Sequence, residues 1–180
     1  MANAVFPLAY YYGFPREDLL KLLLILSFGA LAVEYGRLHS PRIQKLFLNT
    51  VGFALRSHEN ISVTGATYVF GGMTLTVFIF PQEIAIPAML VLTISDAFAA
   101  LGGIPLGRHK FLSKSLEGSL AFFVSALAVF LIFPVAPWTG LLLVALLATI
   151  LEAWPKNFDD NILIPLFVGT MLYFVQLLFT

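Results

Sequence analysis

The stretch SDAFAALGGIPLGRHKFLSKSLEG, residues 95–118, joins two apolar runs through a basic, glycine-containing loop. Asp96 lies inside the first of these runs. A carboxylate in hydrocarbon costs about 2.5–3.5 kcal/mol on insertion scales, so Asp96 requires a cation or a water-filled cavity beside it. Arg108, Lys110 and Lys114 follow it closely in the chain. The stretch therefore predicts a phosphate- and metal-binding site at a membrane surface.

The composition on both sides of this stretch is typical of a membrane protein. Hydrophobic residues make up 59% of the 180-residue chain and charged residues 11%, and the mean hydropathy is +0.93. These values predict an all-α, polytopic integral membrane helical bundle. The chain contains no cysteine, which excludes disulfides and thiolate chemistry, so any metal has oxygen or imidazole ligands. A formal net charge of zero argues against a nucleic-acid partner.

Apolar runs of about 18 residues predict about six transmembrane helices, which form a single transmembrane domain over residues 1–180. The predicted spans are 19–35, 63–80, 84–101, 116–133, 138–153 and 162–179. Another apolar segment, 5–12, is too short to cross the membrane alone. It is expected to be an interfacial segment, a re-entrant segment or the remainder of a further helix.

The basic residues predict the orientation, because Lys and Arg in short loops remain cytoplasmic. The loops after the first, third and fifth spans carry basic residues, whereas the alternate loops contain neither Lys nor Arg. Both termini are therefore predicted to lie outside. Seven of the ten carboxylates fall at or near the cytoplasmic side, namely Glu34, Glu59, Asp96, Glu117, Glu152, Asp159 and Asp160. Acids contribute little to topology, so their clustering predicts a metal–nucleotide site.

Asp96 is predicted about five residues before the end of its span, roughly 7–8 Å inside the cytoplasmic boundary by helical rise. Three small residues, Ala99, Ala100 and Gly103, follow at helical spacing, so the helix face beside Asp96 carries no bulky side chain. A helix face of small residues permits either close packing of another helix or the approach of a phosphate. Residues 95–118 therefore form the predicted cytoplasmic nucleotide-binding loop, with both explanations of the small residues open.

Other features of the loop favour anion binding. Its glycines permit backbone conformations closed to other residues, and its three cations can contact a polyphosphate. Ser115 is the predicted N-cap of the fourth span, whose free N–H groups would face the same anion. Glu117 either shares Mg²⁺ with Asp96 or pairs with Lys114. Neither of the phosphate-binding motifs GxxxxGK[ST] and GxGxxG occurs in the sequence. The spacing is explained equally well by a cytoplasmic loop whose basic residues serve only to orient the protein in the membrane.

Three further predictions concern polar residues outside the loop. Glu34 and Arg37 are three residues apart and predict an i,i+3 ion pair. Thr64 and Tyr68 lie four apart on the second span, where they either pack or reach an acceptor molecule. The three histidines have no metal-ligand spacing, so they are expected in loops or near headgroups.

The segment 95–118 resembles the nucleotide-binding segment of the dolichol kinase, phytol kinase and CTP-dependent diacylglycerol kinase family. An Asp-containing helix, a Gly-Arg-His-Lys loop and a KSLEGS helix start recur in that family. Similar family patterns are matched by EYGRLHSPRI at 34–43, RSHENISVTGATYVFGG at 56–72 and FDDNILIPL at 158–166. The resemblance therefore covers residues 34–166. One departure is that the Arg-Lys-x-x-His element that usually introduces the family's first helix is absent from this sequence.

The resemblance implies transfer of the γ-phosphoryl group of CTP to the hydroxyl of a polyprenol-, dolichol- or phytol-like isoprenoid alcohol, with Mg²⁺ as cofactor. The implied partners are CTP, the isoprenoid alcohol and membrane lipids, with homo-oligomerisation left open. An integral membrane location is implied, in the cell membrane of a prokaryote or the endoplasmic reticulum of a eukaryote. The active site is expected on the cytoplasmic side.

The resemblance also implies roles for individual residues. The implied catalytic residues are Asp96, Lys114 and Glu117, and the implied metal ligands are Asp96, Glu117 and Asp160. The implied nucleotide-binding residues are Gly103, Gly107, Arg108, His109, Lys110, Lys114 and Ser115. Substrate binding or support of the site is implied for Glu34, Arg56, Glu59, Tyr68 and Asn161.

Two other functions match parts of the sequence. A CTP:phosphatidate cytidylyltransferase also uses CTP and Mg²⁺ but forms a CDP-lipid and releases pyrophosphate; its C-terminal pattern is only weakly matched by PKNFDD at 155–160. A small transporter or channel would line an ion path with Glu34, Asp96 and Glu152. These acids are predicted on one side of the membrane instead of along a path across it, which argues against transport.

Overall fold

The computed structural model describes residues 2–51, 62–155 and 158–179. In these ranges a 3₁₀ turn, Ala2–Ala4, precedes the helices α1 Val5–Tyr11, α2 Arg16–His39, α3 Pro41–Val51, α4 Gly65–Ile79, α5 Gln82–Leu90, α6 Asp96–Leu106, α7 Leu116–Ile132, α8 Trp138–Ala153 and α9 Asp160–Phe179. A π-helical turn, Val91–Ser95, joins α5 to α6. The strands β1 Lys110–Phe111 and β2 Lys114–Ser115 pair antiparallel in a short hairpin, which is the one departure from helices and loops in the described residues.

The apolar helices agree in position with the predicted spans. Among the described residues, α2, the continuous helix Gln82–Pro105 and α9 have 24, 24 and 20 residues and are long and apolar enough to cross a membrane. The helices α4, α7 and α8 are apolar but shorter, between 10 and 17 residues. The architecture is thus that of an all-α membrane protein, with three of the six predicted spans supported by length as well as composition.

The predicted third span is one helical rod that runs through α5, the π turn and α6. The π turn ends directly before Asp96, and such turns alter the helical register, often at functional sites. The prediction that this helix ends near Leu101 is wrong, because α6 continues to Leu106 and includes Pro105. Asp96 therefore lies about 15 Å from the helix end by helical rise, about twice the predicted distance.

The buried core is centred on α5, in which residues 84–90 are all buried. Helix α9 packs against α4, α5 and α8. Gly72 on α4 permits this close approach, because a Cβ there would lie 2.1 Å from the carbonyl oxygen of Asn161 on α9. Large apolar side chains such as Phe78 and Leu178 remain exposed on the outer faces. Exposed apolar area of this extent fits contact with lipid chains.

Two segments outside the predicted spans form short helices. The 5–12 segment contains α1, which packs along α5, and its Tyr10 carbonyl accepts a hydrogen bond of 2.8 Å from the side chain of Gln82. Asn3 lines a small cavity with Asp96, so the segment extends along the bundle toward the level of that carboxylate. The region after α2, which was predicted to be a loop, contains the amphipathic helix α3. Its Arg42 and Lys45 are exposed.

Candidate active site

The basic loop forms the β1–β2 hairpin and leads directly into α7. Ser115 caps that helix, because its side-chain oxygen accepts a hydrogen bond of 3.2 Å from the backbone N–H of Gly118, and this confirms the predicted N-cap. Ser113 ties the hairpin to α8: its backbone N–H and hydroxyl donate to the Ala153 carbonyl at 3.0 and 2.6 Å. Leu112, at the turn, has a φ of +52°, an unfavourable value for a leucine. The hairpin is therefore held against the end of α8.

This anchoring brings Lys114 to two carboxylates from other helices. Its ammonium donates a hydrogen bond to Glu152 Oε1 on α8 and lies 3.4 Å from Asp160 Oδ2 on α9. The Glu152 side chain is 0% exposed and that of Lys114 is 37% exposed. Lys114 thus pairs with Glu152 and Asp160 and not with Glu117, so of the two alternatives for Glu117 the pair with Lys114 is wrong.

The protonation of Lys114 follows from these neighbours. Burial of the ammonium lowers its pKa, but the hydrogen bond that it donates to Glu152 and the charges of Glu152, Asp160 and Asp96 outweigh burial. The pKa of Lys114 is therefore raised from its ordinary value. The side chain remains a cation at neutral pH and retains the three donors that a phosphate requires.

Two cavities meet at this cluster. The first, here called the polar cavity, has a volume of about 490 Å³, and its walls are Asp96, Ser113, Lys114, Glu152, Trp154, Pro155, Phe158, Asp159, Asp160 and Asn161. The second, here called the helix cavity, has about 470 Å³, and its walls are Asp96, Ala99, Ala100, Gly103, Ile104, Lys114, Ser115, Gly118 and Glu152. Asp96, Lys114 and Glu152 line both cavities. A larger cavity of about 830 Å³ lies at the other end of the bundle, beside Gln82 and Phe133.

The small residues after Asp96 lie in a close contact between helices and also line a cavity. A Cβ at Gly103 would lie 3.1 Å from Ser115 Oγ, and one at Gly118 would lie 2.9 Å from the Ala99 carbonyl, so α6 and α7 pack closely here. Ala99, Ala100 and Gly103 also line the helix cavity. Close packing and an open cavity wall therefore coexist on this face of α6.

The other loop residues lie on the outer side of the hairpin. His109 Nδ1 is 2.8 Å from Glu117 Oε1, and the His109 backbone N–H donates to the same carboxylate at 3.3 Å. Glu117 lines neither the polar cavity nor the helix cavity. Gly107, Arg108 and Lys110 are exposed, and they too lie outside both cavity walls. Of the predicted loop residues, Gly103, Lys114 and Ser115 line the cavities, whereas the remaining four do not.

The start of α9 contributes the third carboxylate-bearing segment. Asp159 Oδ1 accepts from the backbone N–H and the side-chain amide of Asn161, at 2.9 and 2.7 Å. This pair of hydrogen bonds shapes the first turn of α9 and directs Asp160 toward Lys114. The structure therefore brings the predicted residues Asp160 and Asn161 into the polar cavity with Asp96.

The predicted support residues on α2 and α4 have structural partners. Glu34 and Arg37 form the predicted i,i+3 pair, at 2.5 Å, and both are buried. Glu34 also accepts hydrogen bonds from the Thr64 backbone and hydroxyl, at 2.9 and 2.6 Å, and so joins α2 to the start of α4. Tyr68 is half-buried on α4 and lines neither of the two cavities. Two other predicted support residues, Arg56 and Glu59, lie outside the described residues.

Metal binding was predicted for Asp96, Glu117 and Asp160. In the described part of the chain, no three His, Asp or Glu side chains form a group that could hold a metal ion by themselves. The polar cavity nevertheless has four carboxylate residues in its walls, Asp96, Glu152, Asp159 and Asp160. This donor set fits Mg²⁺, which typically takes one or two carboxylates and completes its shell with phosphate oxygens and water.

Sequence reasoning gave Glu152 no individual role in the enzyme site. It was counted among the acids clustered near the cytoplasmic side and was named as a lining residue for the transporter alternative. A buried carboxylate in an otherwise apolar helix is itself a signal for function, and α8 contains no other charged residue. Trp154 and Phe158 were also missed, because their place in a cavity wall depends on how α8 and α9 meet.

Comparison with known proteins identifies two relatives of this chain. No family model matches the chain, and no solved structure matches it. The chain is 24% identical over 185 residues to CTP-dependent diacylglycerol kinase 1 of Schizosaccharomyces pombe (strain 972 / ATCC 24843). That alignment covers 91% of this chain and 84% of the relative. The chain is 31% identical over 172 residues to the uncharacterized protein RP860 of Rickettsia prowazekii (strain Madrid E), which covers 90% of this chain and 84% of that protein. The chain therefore belongs to the family of the Rickettsia protein RP860, and it is distantly similar to a CTP-dependent diacylglycerol kinase.

Proposed function

We propose that this protein is a CTP-dependent lipid kinase that phosphorylates the hydroxyl group of a membrane lipid. The observation that carries the proposal is its similarity to CTP-dependent diacylglycerol kinase 1 along 91% of the chain. A similarity of that extent includes α6, the hairpin, the end of α8 and the start of α9, which supply the walls of the two cavities. The proposal therefore rests on the whole site and not on one motif.

The position of the site supports this reaction. The two cavities lie where α6, α8 and α9 bring charged groups to the end of an apolar bundle. A lipid hydroxyl stays at headgroup level while its chain remains in the bilayer, and a nucleotide arrives from water. In the reaction, the hydroxyl oxygen forms a bond to the γ-phosphorus, and the bond from that phosphorus to the β–γ bridging oxygen breaks. CDP leaves, and the hydroxyl proton passes to a carboxylate or to water.

The charge of the polar cavity indicates how a nucleotide would bind. Among the described residues, its walls carry the carboxylates of Asp96, Glu152, Asp159 and Asp160 and one ammonium, that of Lys114. A triphosphate would be repelled by this excess of negative charge unless cations accompany it. Mg²⁺ is the proposed cofactor, with Asp96 and Asp160 as its protein ligands, and it would neutralise charge on the transferred group.

The proposed roles of the side chains follow from this arrangement. Lys114 contacts the transferred phosphate, because its ammonium lies in the wall between both cavities. Asp96 holds the metal or accepts the hydroxyl proton. Arg108 and Lys110 are exposed on the hairpin and approach the outer phosphates from solvent. Glu117 is engaged by His109, so its proposed role is to support the hairpin.

Two classes of acceptor lipid are proposed. Diacylglycerol is the acceptor in the name of the yeast relative. An isoprenoid alcohol of the polyprenol, dolichol or phytol type is the acceptor implied by the sequence resemblance. Both present a hydroxyl group at headgroup level and an apolar chain, so the acceptor must be identified by assay.

A labelling experiment tests the proposed function. Purified protein in lipid nanodiscs is incubated with Mg²⁺ and CTP that carries ³²P at either the γ- or the α-position. Each reaction contains one acceptor from a panel of prenols, diacylglycerol and phosphatidate. We expect γ-label in the lipid product and none from α-label. Lipid labelled from α-phosphate would show a cytidylyltransferase instead. Absence of label from both nucleotides would reject the kinase proposal, and the transporter alternative would then be examined by ion flux.

A further inference from the structure

The walls of the two cavities differ once their shared residues are set aside. The polar cavity is otherwise lined by Ser113, two aromatic side chains, two aspartates, an asparagine and a proline. The helix cavity is otherwise lined by alanine, glycine and isoleucine, with Ser115 as its one further polar side chain. The two sides of the cluster Asp96, Lys114 and Glu152 therefore differ in chemistry, one being mainly polar and aromatic and the other mainly small and aliphatic.

The helix cavity opens toward the bilayer. Ile104, in its wall, is 85% exposed and lies within the apolar helix Gln82–Pro105. The adjacent Leu101 is 60% exposed on the same helix. In a membrane-spanning helix, exposed aliphatic side chains contact acyl chains, so a ligand can enter this cavity sideways from the lipid. The small residues Ala100 and Gly103 leave space for it between α6 and α7.

The polar cavity opens elsewhere. Trp154 and Phe158, in its wall, are 55% and 78% exposed. They lie in the connection between α8 and α9, beyond the apolar helices. Aromatic rings at the mouth of a polar cavity offer a stacking surface to a planar base. The carboxylates behind them can hold the cations that a polyphosphate brings.

We propose that the helix cavity is the binding subsite for the acceptor lipid and that the polar cavity is the subsite for the nucleotide. This proposal rests on the proposed function and adds where each substrate binds. The lipid hydroxyl reaches Asp96 and Lys114 from the bilayer side, and the γ-phosphate reaches them from the aqueous side. Gly103 and Ser115, which the sequence resemblance associated with the nucleotide, then form part of the lipid subsite.

Two pairs of variants test this division. Ala100→Phe and Ile104→Trp add volume to the helix cavity, and we expect each to raise the KM for the acceptor lipid at least about fivefold with the KM for CTP within about twofold. Leu101→Phe is the matched control, because Leu101 is exposed on α6 but lines neither cavity. Trp154→Ala is the reciprocal variant and should raise the KM for CTP alone. Trp138→Ala, at the opposite end of α8, is its control.

The KM values are measured with the acceptor lipid that receives γ-label from CTP in the labelling experiment. A higher KM for CTP in Ala100→Phe and Ile104→Trp, equal increases in both KM values, or no change in either would overturn the assignment of the helix cavity. Thermal melting of each variant shows whether it is folded, and Ile104→Trp changes a side chain that is already exposed. Failure of the wild-type protein to label any lipid would reject the proposed function itself, a result distinct from all of these.

Discussion

The ammonium of Lys114 on the hairpin is bound to the carboxylate of Glu152 at the end of α8, 38 residues further along the chain. Glu152 is fully buried, whereas Lys114 is partly exposed to the cavities on either side. A buried carboxylate is costly without a cation beside it, so the pair holds the hairpin against the bundle. The same contact directs the ammonium into the space where the two cavities meet.

This pair predicts a change in stability at alkaline pH. The pKa of Lys114 is raised in the folded protein, so its contribution is fully present below the unfolded value of about 10.4 and is lost as pH rises through the folded value. The reference is Lys114→Met/Glu152→Gln, which removes both charges. We expect the difference in thermal midpoint between wild type and this variant to be constant from about pH 8 to 10 and to narrow above that range. Parallel curves throughout would contradict the prediction.

Asp96→Asn is expected to lower lipid phosphorylation about 100-fold or more, because the amide removes the negative charge with almost no change in shape. The measurement is transfer of γ-label from CTP, with thermal melting to show that the variant is folded. Asp18→Asn is the matched control, since Asp18 is exposed at the start of α2 and pairs with Lys21. Near-normal turnover in Asp96→Asn would remove Asp96 from the reaction.

Glu117→Gln separates two roles for this carboxylate. If Glu117 supports the hairpin through His109, the glutamine can still accept the backbone hydrogen bond, and activity should stay within about tenfold of wild type. His109→Ala should then produce a loss of similar size. A loss in Glu117→Gln as large as that in Asp96→Asn, with His109→Ala unaffected, would instead support the metal-ligand role.

Gly72→Ala is expected to destabilise the protein by about 1–3 kcal/mol, because the new methyl group would meet the backbone of α9. Without a shift of α9, that methyl carbon would lie 2.1 Å from the Asn161 carbonyl oxygen. Gly71→Ala is the matched control: a Cβ there has nothing within 4 Å, and alanine favours a helix over glycine by up to about 1 kcal/mol. Equal melting temperatures for the two variants would contradict the close packing of α4 and α9.

Arg37→Met should destabilise the protein by about 3–5 kcal/mol, because it leaves the buried Glu34 without its cation. Arg37 is 1% exposed, and it also stacks over the Phe47 ring at 5.1 Å. The control is Arg42→Met on α3, an exposed site where a change within about 0.5 kcal/mol is expected. Both are measured by thermal or denaturant unfolding in the same detergent, and similar effects of the two changes would contradict the buried ion pair.

Features that depend on neighbours within a few helical turns were predictable from the amino-acid order. Long apolar runs predicted the helices, since a membrane or a core must cover them, and the spacing of Glu34 and Arg37 predicted their contact. Ser115 was recognised as an N-cap from its position before an apolar run. Asp96 was identified because a carboxylate in such a run requires a compensating partner.

The partners that those residues meet became visible in the folded protein. Lys114 meets Glu152 and Asp160 across 38 and 46 residues of chain, and Glu117 pairs with His109 instead of Lys114. These choices depend on how closely the glycines let α6 approach α7 and where the hairpin lies on α8. Periodicity describes one helix at a time, whereas a cavity and its charges arise from the packing of several helices, and no local pattern in the sequence encodes that packing.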